Sequence, residues 1–309
     1  QTASLKENKL DVSISTSEHR NAIRSSSYAA SIAQKVAAKH EMDVNQINIT
    51  QLNAGIELNK IKYIANHINN DNLPVELLIR NTTLESGDPL GFMDDEFKPN
   101  IDFPVIFSSI SPSLVTHIGN PEKFFFGGVN LQHTSEIQFS RNILLSTEFN
   151  ARVYGDFDNT ISGPGSVMEH VRTDLVEYLK EDDLVISRMQ LDYVWSPRKD
   201  TYAKLSGGIY ETMFAGYGIE TLYKPFGKNY SLGFELFHVK QRSFDQRFSF
   251  KDYDTVTGHL NFGYSLPLGI ESNISYGRYL AKDDGFTFDL GRRTKSGFKA
   301  GIYFTRTNV

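Results

Sequence analysis

Tyr230-Ser231-Leu232-Gly233-Phe234-Glu235-Leu236 puts Tyr, Leu, Phe and Leu on one side of an extended chain and Ser, Gly and Glu on the other. Successive side chains of a strand point to opposite faces, so this period of two predicts a β-strand with one apolar and one polar face. The pattern recurs down the chain. Ile270, Ile274, Tyr276 and Leu280 oppose Glu271, Asn273, Ser275 and Gly277. Phe286, Phe288 and Leu290 oppose Thr287, Asp289 and Gly291, and Phe298, Ala300, Ile302 and Phe304 oppose Lys299, Gly301, Tyr303 and Thr305. Upstream, Val185, Met189, Leu191, Tyr193 and Trp195 oppose Arg188, Gln190 and Asp192. Turn-forming clusters separate the runs, among them Ser196-Pro197-Arg198-Lys199-Asp200, Gly227-Lys228-Asn229 and Pro267-Leu268-Gly269. The texture predicts an up-and-down meander of roughly ten or eleven strands after Pro112.

Period two fits two environments. A soluble sandwich or barrel turns its apolar face inward, whereas a membrane barrel turns it outward to lipid and keeps the polar face for its lumen. Three details favour lipid. Tight turns alternate with longer connections such as Asp156 to Asp174 and Ser243 to Asp254. Aromatic residues gather near strand ends, as at Tyr193 and Trp195, Tyr223 and Phe226, and Tyr276 and Tyr279, like interfacial girdles. The polar face mixes Gly and Ser with charges of both signs, unlike a Lys- and Glu-dominated solvent face.

Composition bounds the rest. The 309 residues carry a net charge of −5 and show no dense Lys/Arg stripe, which argues against a nucleic-acid partner. The absence of cysteine excludes thiol catalysis, cysteine zinc sites and disulfide frameworks. No stretch approaches the roughly 20 apolar residues of a membrane helix. Before the strands, residues 1–26 are polar and predict a flexible tail. Residues 27–81 predict a small α/β module: a helix through Tyr28, Ile32, Ala33, Val36 and Ala37 behind a capping Ser run, and a strand with Ile47 and Ile49. A second helix through Ile61, Ile64, Ala65 and Ile68 and a strand over Val75 to Ile79 complete it. Residues 82–108 predict a linker, and 109–309 the barrel strands.

Motifs of chemistry are sparse. Gly216-Tyr217-Gly218-Ile219-Glu220-Thr221 lacks the third glycine and following helix of a dinucleotide fingerprint and is expected to be strand. Asp182-Asp183 and Asp283-Asp284 are adjacent carboxylates in turns, not an opposed glycosidase pair. His259 has no partner at metal-ligand spacing and is expected to be structural. No catalytic residue, metal site or cofactor is expected. The groups best placed to meet a hydroxyl-rich ligand are Arg188, Asp192, Glu220 and Glu235 on the polar face, with Lys240, Arg242, Asp245 and Arg247 in a charged segment. The alternative for that segment is a network of paired Arg and Asp groups that plugs and stiffens a barrel.

An ordered set of strings runs through the second half: Val171-Arg172-Thr173-Asp174, Gly216-Tyr217-Gly218-Ile219-Glu220-Thr221-Leu222-Tyr223-Lys224-Pro225-Phe226, Val239-Lys240-Gln241-Arg242-Ser243-Phe244-Asp245-Gln246-Arg247-Phe248, Asp252-Tyr253-Asp254-Thr255-Val256-Thr257-Gly258-His259 and Gly277-Arg278-Tyr279-Leu280-Ala281-Lys282-Asp283-Asp284-Gly285. These resemble the YjbH family, which includes the GfcD-type proteins of capsule and exopolysaccharide operons. The resemblance is close from about Pro112 onward and loose over the α/β module.

What the resemblance implies is a mainly β protein: an antiparallel transmembrane β-barrel of the bacterial outer membrane with a small periplasmic α/β module. Members are typically longer, with more strands. The end at Thr307-Asn308-Val309 lacks a terminal aromatic residue, so the expectation is part of a wall, completed by another polypeptide or a missing segment. The implied service is export or surface assembly of capsule or exopolysaccharide, with outer-membrane lipid, the polysaccharide and other envelope proteins as partners. A non-conducting scaffold barrel and a soluble carbohydrate-active β protein are the competing readings.

Overall fold

The computed structural model describes residues 2–15, 22–69, 80–88, 102–118, 124–159, 169–180, 184–294 and 298–308. They fall into two compact units, one of residues 1–102 with 195–202, the other of 103–194 with 203–309.

The first unit is a five-stranded sheet in the order β1-β2-β3-β4-β5. Its strands are β1 (Thr2–Lys6), β2 (Lys9–Ile14), β3 (Gln46–Asn53), β4 (Ile56–Ile64) and β5 (Thr83–Ser86). β2 and β3 run parallel, and the helix α1 (Ala22–Lys39) supplies the crossover that parallel strands require. The other neighbours are antiparallel.

Four expectations are corrected here. Thr2–Ile14 is a hairpin, not a flexible tail: Glu7 and Asn8 both take positive φ, as a two-residue type I′ turn needs, and the period-two run Leu10, Val12, Ile14 packs into the core. The second helix is a strand. Ala54 and Gly55 make another positive-φ pair, which pairs β4 back onto β3 and sets Ile61 opposite Ile49, both almost wholly buried. Only Ala65–His67 keeps a helical turn. The Ser run does not cap α1 but lies inside it, where Ser25 and Ser26 accept from Gln51 Nε2 at 2.6 and 3.1 Å. Within the segment expected as linker, Thr83–Ser86 extends this sheet and the larger sheet begins at Val105. The strand expected over Val75 to Ile79 lies outside the described residues.

The core of this unit holds Ala30, Ala37, Val44, Ile47, Ile49 and Ala65, against which Ala29, Ala33, Tyr63 and Ile68 pack. The alanines bring α1 close to the sheet. Tyr28, Ile32 and Val36, expected on the buried face, are exposed instead.

The second unit is an eleven-stranded meander in unbroken chain order, β16 back to β6. Its strands are β6 (Val105–Ile118), β7 (Phe125–Gln138), β8 (Ile143–Gly155), β9 (Leu184–Arg198), β10 (Thr201–Ile209) and β11 (Phe214–Tyr223). There follow β12 (Tyr230–Arg242), β13 (Phe250–Leu266), β14 (Ile270–Arg278), β15 (Asp284–Arg293) and β16 (Lys299–Thr307). The register carries like faces across the sheet: Leu232 lies opposite Phe262, Phe234 opposite Leu260, Ile274 opposite Phe288, and Leu290 opposite Ile302.

The polarity of this sheet is inverted relative to a water-soluble one. On one face Leu131, Leu191, Leu205, Leu232, Phe234, Leu236, Leu260, Phe262, Ile274 and Ile302 are all exposed, Leu260 by 62% and Ile302 by 71%. On the other face Asn150, Gln190, Ser206, Thr255 and Thr257 are buried, Gln190 to 4%. The apolar face has one polar patch, at β6–β8, where Ser108 meets His133 at 2.8 Å and Ser135 meets Thr147 at 2.7 Å. Charges then close the apolar band at its ends, with Lys240 opposite Asp254 and Arg278 opposite Asp284 at one, and Arg292, between Ile270 and Ala300, at the other.

Candidate functional site

The polar face is a set of side-chain ladders running across strands. On β9, Arg188 donates from Nε and Nη2 to Gln190 Oε1 (3.2 and 2.7 Å), and Gln190 Nε2 donates to Asp192 Oδ1 (2.7 Å). Strand geometry explains it: residues two apart share a face, so a polar i, i+2, i+4 series must satisfy itself. Glu148 accepts from Gln132 Nε2 (2.8 Å) and Asn150 Nδ2 (3.0 Å) on the same side. Farther along, Glu220 and Glu235 are direct cross-strand partners, and each carboxylate has its own basic group. Lys204 Nζ lies 2.6 Å from Glu220, and His259 Nδ1 lies 2.9 Å from Glu235. The His259 ring meets Tyr279 edge-on at 4.6 Å. Four of the residues singled out from sequence, Arg188, Asp192, Glu220 and Glu235, therefore do share this face.

The other four are not brought together. Lys240 is exposed on the apolar side, beyond Leu236. Asp245 closes its own turn, accepting from Ser249 Oγ at 2.7 Å and from the Arg247 amide at 3.3 Å. Arg247 is exposed. Arg242 is fully buried, but among the described residues its guanidinium pairs with no carboxylate. It donates to the backbone carbonyls of Glu211 (2.9 Å), Thr212 (3.1 Å), Gln246 and Arg247 (3.2 Å). At Arg242 the expected Arg–Asp pairing is thus replaced by a cation clamped in a ring of carbonyls. The reason is local: a register shift after Lys240 turns Arg242 inward, where two turns, one through Glu211 and Thr212 and one through Gln246 and Arg247, present C=O groups.

That clamp anchors a short helix, α2 (Leu175–Lys180), in the β8–β9 connection. Tyr178 Oη donates to the Arg242 carbonyl (2.5 Å), and Gln246 Nε2 donates back to the Tyr178 carbonyl (2.7 Å). Arg152, from the polar face of β8, donates to the carbonyls of Leu179 (2.5 Å) and Lys180 (3.3 Å), the open end of α2. Tyr178, Met213, Phe214 and Val239 form the only sizeable apolar cluster of the sheet among the described residues, with Phe244 edge-on to Tyr178 at 4.9 Å. Lys251 covers it, its Nζ 3.4 Å from the Phe244 ring centre and 3.5 Å from Asp174. Burial, and then the nearby Asp174 charge, push the Tyr178 phenol up to about 12.

Sequence reasoning missed this assembly. Val171 and Tyr178, Met213, and Phe244 come from three connections, and no periodicity links them. Gly216 to Thr221 is strand, as expected, within β11. Asp284 opens β15 and the Asp283 backbone carbonyl accepts from the Tyr279 amide in the preceding turn, whereas Asp182 and Asp183 lie outside the described residues. Among the described residues no group of three His, Asp or Glu is placed to hold a metal ion.

The model of the family described as "Exopolysaccharide biosynthesis protein YbjH" matches residues 1–309. The chain belongs to the YjbH family. The ordered strings from Val171 to Gly285 hold Arg242 and Gln246 of the clamp and the Glu220 and His259 partners on the polar face. A relative described as an uncharacterized lipoprotein, YjbH of Escherichia coli (strain K12), is 29% identical over 275 residues. The match covers 86% of this chain and 38% of that protein, so the chain spans well under half the length of this relative. No solved structure matches.

Proposed function

We propose that the larger sheet is wall of an outer-membrane β-barrel serving exopolysaccharide export or surface assembly, with its apolar face in lipid and its polar face lining the lumen. The observation that carries this reading is the inverted polarity. Ten exposed large apolar side chains, each left about half uncovered, forgo about 1 kcal/mol apiece in water. That loss is of the order of a whole domain's stability. Lipid removes it. The band also has the right height: from Val256 to Leu266 there are ten steps (266 − 256). At about 3.3 Å each they cover about 33 Å, or about 25 Å along the normal at a tilt near 40°.

In lipid, the outer edges of β6 and β16 must be paired, because unsatisfied backbone groups are not tolerated there. The proposal therefore includes closure, either of these edges on each other or through further strands, and other envelope proteins as partners. The five-stranded unit is assigned to the periplasm, and the role is non-enzymatic. A second reading rests on the Arg242 clamp: α2 pinned over the polar face would make the wall a plugged scaffold that conducts nothing. Planar-bilayer conductance separates the two.

The cysteine-free chain makes the main test clean. Single cysteines at 232, 234, 260 and 274 should be shielded from a membrane-impermeant maleimide in outer-membrane vesicles and report contact with quenchers in the acyl region. Cysteines at 235, 261 and 273 should escape the lipid quenchers. Equal labelling on both faces rejects the wall. Deleting the gene should abolish surface polymer while its synthesis continues; unchanged surface polymer rejects the export role.

A further inference from the structure

Between the Glu220 ladder and the α2 clamp, the polar face holds an open hollow of about 440 Å³, large enough for a single sugar ring. Its floor is aromatic, which is unusual on this face. Tyr210 and Phe237 meet edge-to-face, with centroids 5.5 Å apart and planes at 89°, and Phe214 lies beside them. Two features hold this corner rigid. Tyr210 Oη bonds back to Ser206, 3.0 Å from its Oγ and 3.1 Å from its carbonyl. Phe237 lies flat against β11 because residue 218 is glycine: a Cβ there would overlap its ring.

The rim is polar, with its acids paired to bases and Arg188 linked through Gln190 to Asp192. Lys204 and Glu220 pair at 2.6 Å, Glu211 pairs with Arg172 at 2.6 Å, and Arg188 is engaged by Gln190. Thr257, opposite Phe237, completes the polar side. A fixed aromatic face attracts the weakly positive C–H bonds of a saturated ring through its quadrupole. Paired acids and bases, together with amide and hydroxyl groups, donate to and accept from hydroxyls without selecting a net charge. From this conjunction we infer that the Tyr210–Phe237 corner is a sugar subsite, taking one neutral pyranose ring of a passing glycan with its C–H face on Phe237 and its hydroxyls on Lys204, Glu220 and Arg188.

The inference rests on the lumen reading above, because it needs the polar face to meet glycan, and it adds where and how. The test uses saturation-transfer NMR on the whole detergent-solubilised chain with three probes: cellohexaose, maltohexaose and an oligogalacturonate. At least one neutral hexaose should receive saturation at its ring C–H protons. Phe237→Leu, which keeps the volume and fold but removes the aromatic face, should weaken that binding at least tenfold. Leu260→Ala, on the opposite face, should leave it unchanged. Thermal melts of each variant show whether a loss is one of folding, and Phe237→Leu is chosen to melt like the parent.

No transfer to any probe, binding indifferent to Phe237→Leu, or preference for the acidic probe overturns the subsite. Those failures are distinct from failure of the wall itself. A chain whose Leu232→Cys and Leu260→Cys variants are shielded in vesicles but which binds no sugar keeps the wall and loses the subsite; one that binds sugar without lipid shielding does the reverse.

Discussion

Leu260→Arg separates the two environments that a period of two permits. Leu260 sits in the middle of the apolar run of β13, facing Phe234 on one neighbour and Tyr276 on the other, and is 62% exposed. In water the substitution replaces an uncovered Leu by a residue that prefers solvent, so it should shift stability by no more than about 0.5 kcal/mol, and upward if at all. In a bilayer the same guanidinium lies near the midplane. It is six steps from Asp254 at one charged rim, about 20 Å along the strand. Arg on the lipid face at that depth costs about 2–4 kcal/mol, a factor of about 30 to 1,000 in the folding equilibrium. The assay is reversible urea unfolding in phosphatidylcholine vesicles, followed by the far-UV β signal and by the single tryptophan. Asn261→Arg, one residue along and on the polar face, is the internal control and should cost less than half as much. A cost below about 0.5 kcal/mol for Leu260→Arg, or equal costs at the two positions, refutes the lipid-facing assignment.

Arg242→Met removes the donor shared by four carbonyls while keeping the aliphatic stem. It should loosen α2 and residues 243–249 by about 3 kcal/mol, seen as roughly hundredfold faster amide exchange there and little change in β14–β16. Ile61→Ala opens a cavity opposite Ile49 in the first unit and should cost about 2–5 kcal/mol in thermal or denaturant unfolding of that unit. The Tyr63 hydroxyl is buried without a hydrogen-bond partner among the described residues, so Tyr63→Phe should raise stability by about 1 kcal/mol. Burial lifts the Tyr63 phenol to about 12, as burial with Asp174 lifts Tyr178. The folded state then holds these protons more tightly than the unfolded state. Their contribution is complete below pH 10 and is lost as pH rises through 12. Absorbance titration of Tyr63→Phe should lose one late-ionising tyrosine.

The meander was readable from sequence because its signal is local. Each strand repeats apolar and polar residues within itself, and turns such as Ser196 to Asp200 mark the ends, so even the shared face of Arg188, Asp192, Glu220 and Glu235 follows from counting. The first unit was harder, because short strands and helical turns compete for the same residues. Ile61, Ile64, Ala65 and Ile68 fit a helical period, and only the positive-φ pair Ala54–Gly55 decides for a strand. That pair carries no strong signal, since Ala seldom occupies such a turn. In Leu10 to Ile14 the alternation was visible but diluted by Asp11 and Ser13, and the parallel pairing with β3 that rewards it is non-local. The clamp was legible in composition and not in geometry. A charged segment containing Arg242 suggested ion pairs, whereas the bulge after Lys240 delivered the guanidinium to carbonyls.

The clamp and the aromatic corner are built from the same stretch of chain, and this bears on what the polar face can do. Tyr210 and Glu211 belong to the β10–β11 turn; the carbonyl of Glu211 accepts from Arg242 while its side chain pairs with Arg172 beside the cavity. Phe237 and Arg242 lie on one strand, with Val239 between them in the cluster that seats α2. Any motion that released α2 would have to break the charge-assisted bonds from Arg152 to the Leu179 and Lys180 carbonyls, each worth about 1.5–3 kcal/mol, and would unpack Tyr178 from Met213 in the turn that orients Tyr210. A sheet satisfied only by i, i+2 ladders has no such coupling, because each ladder closes on itself. The face around Tyr210 and Phe237 is therefore a rigid one, held in a single geometry before any ligand arrives, and a preformed surface of this kind binds by presenting its groups rather than by rearranging them.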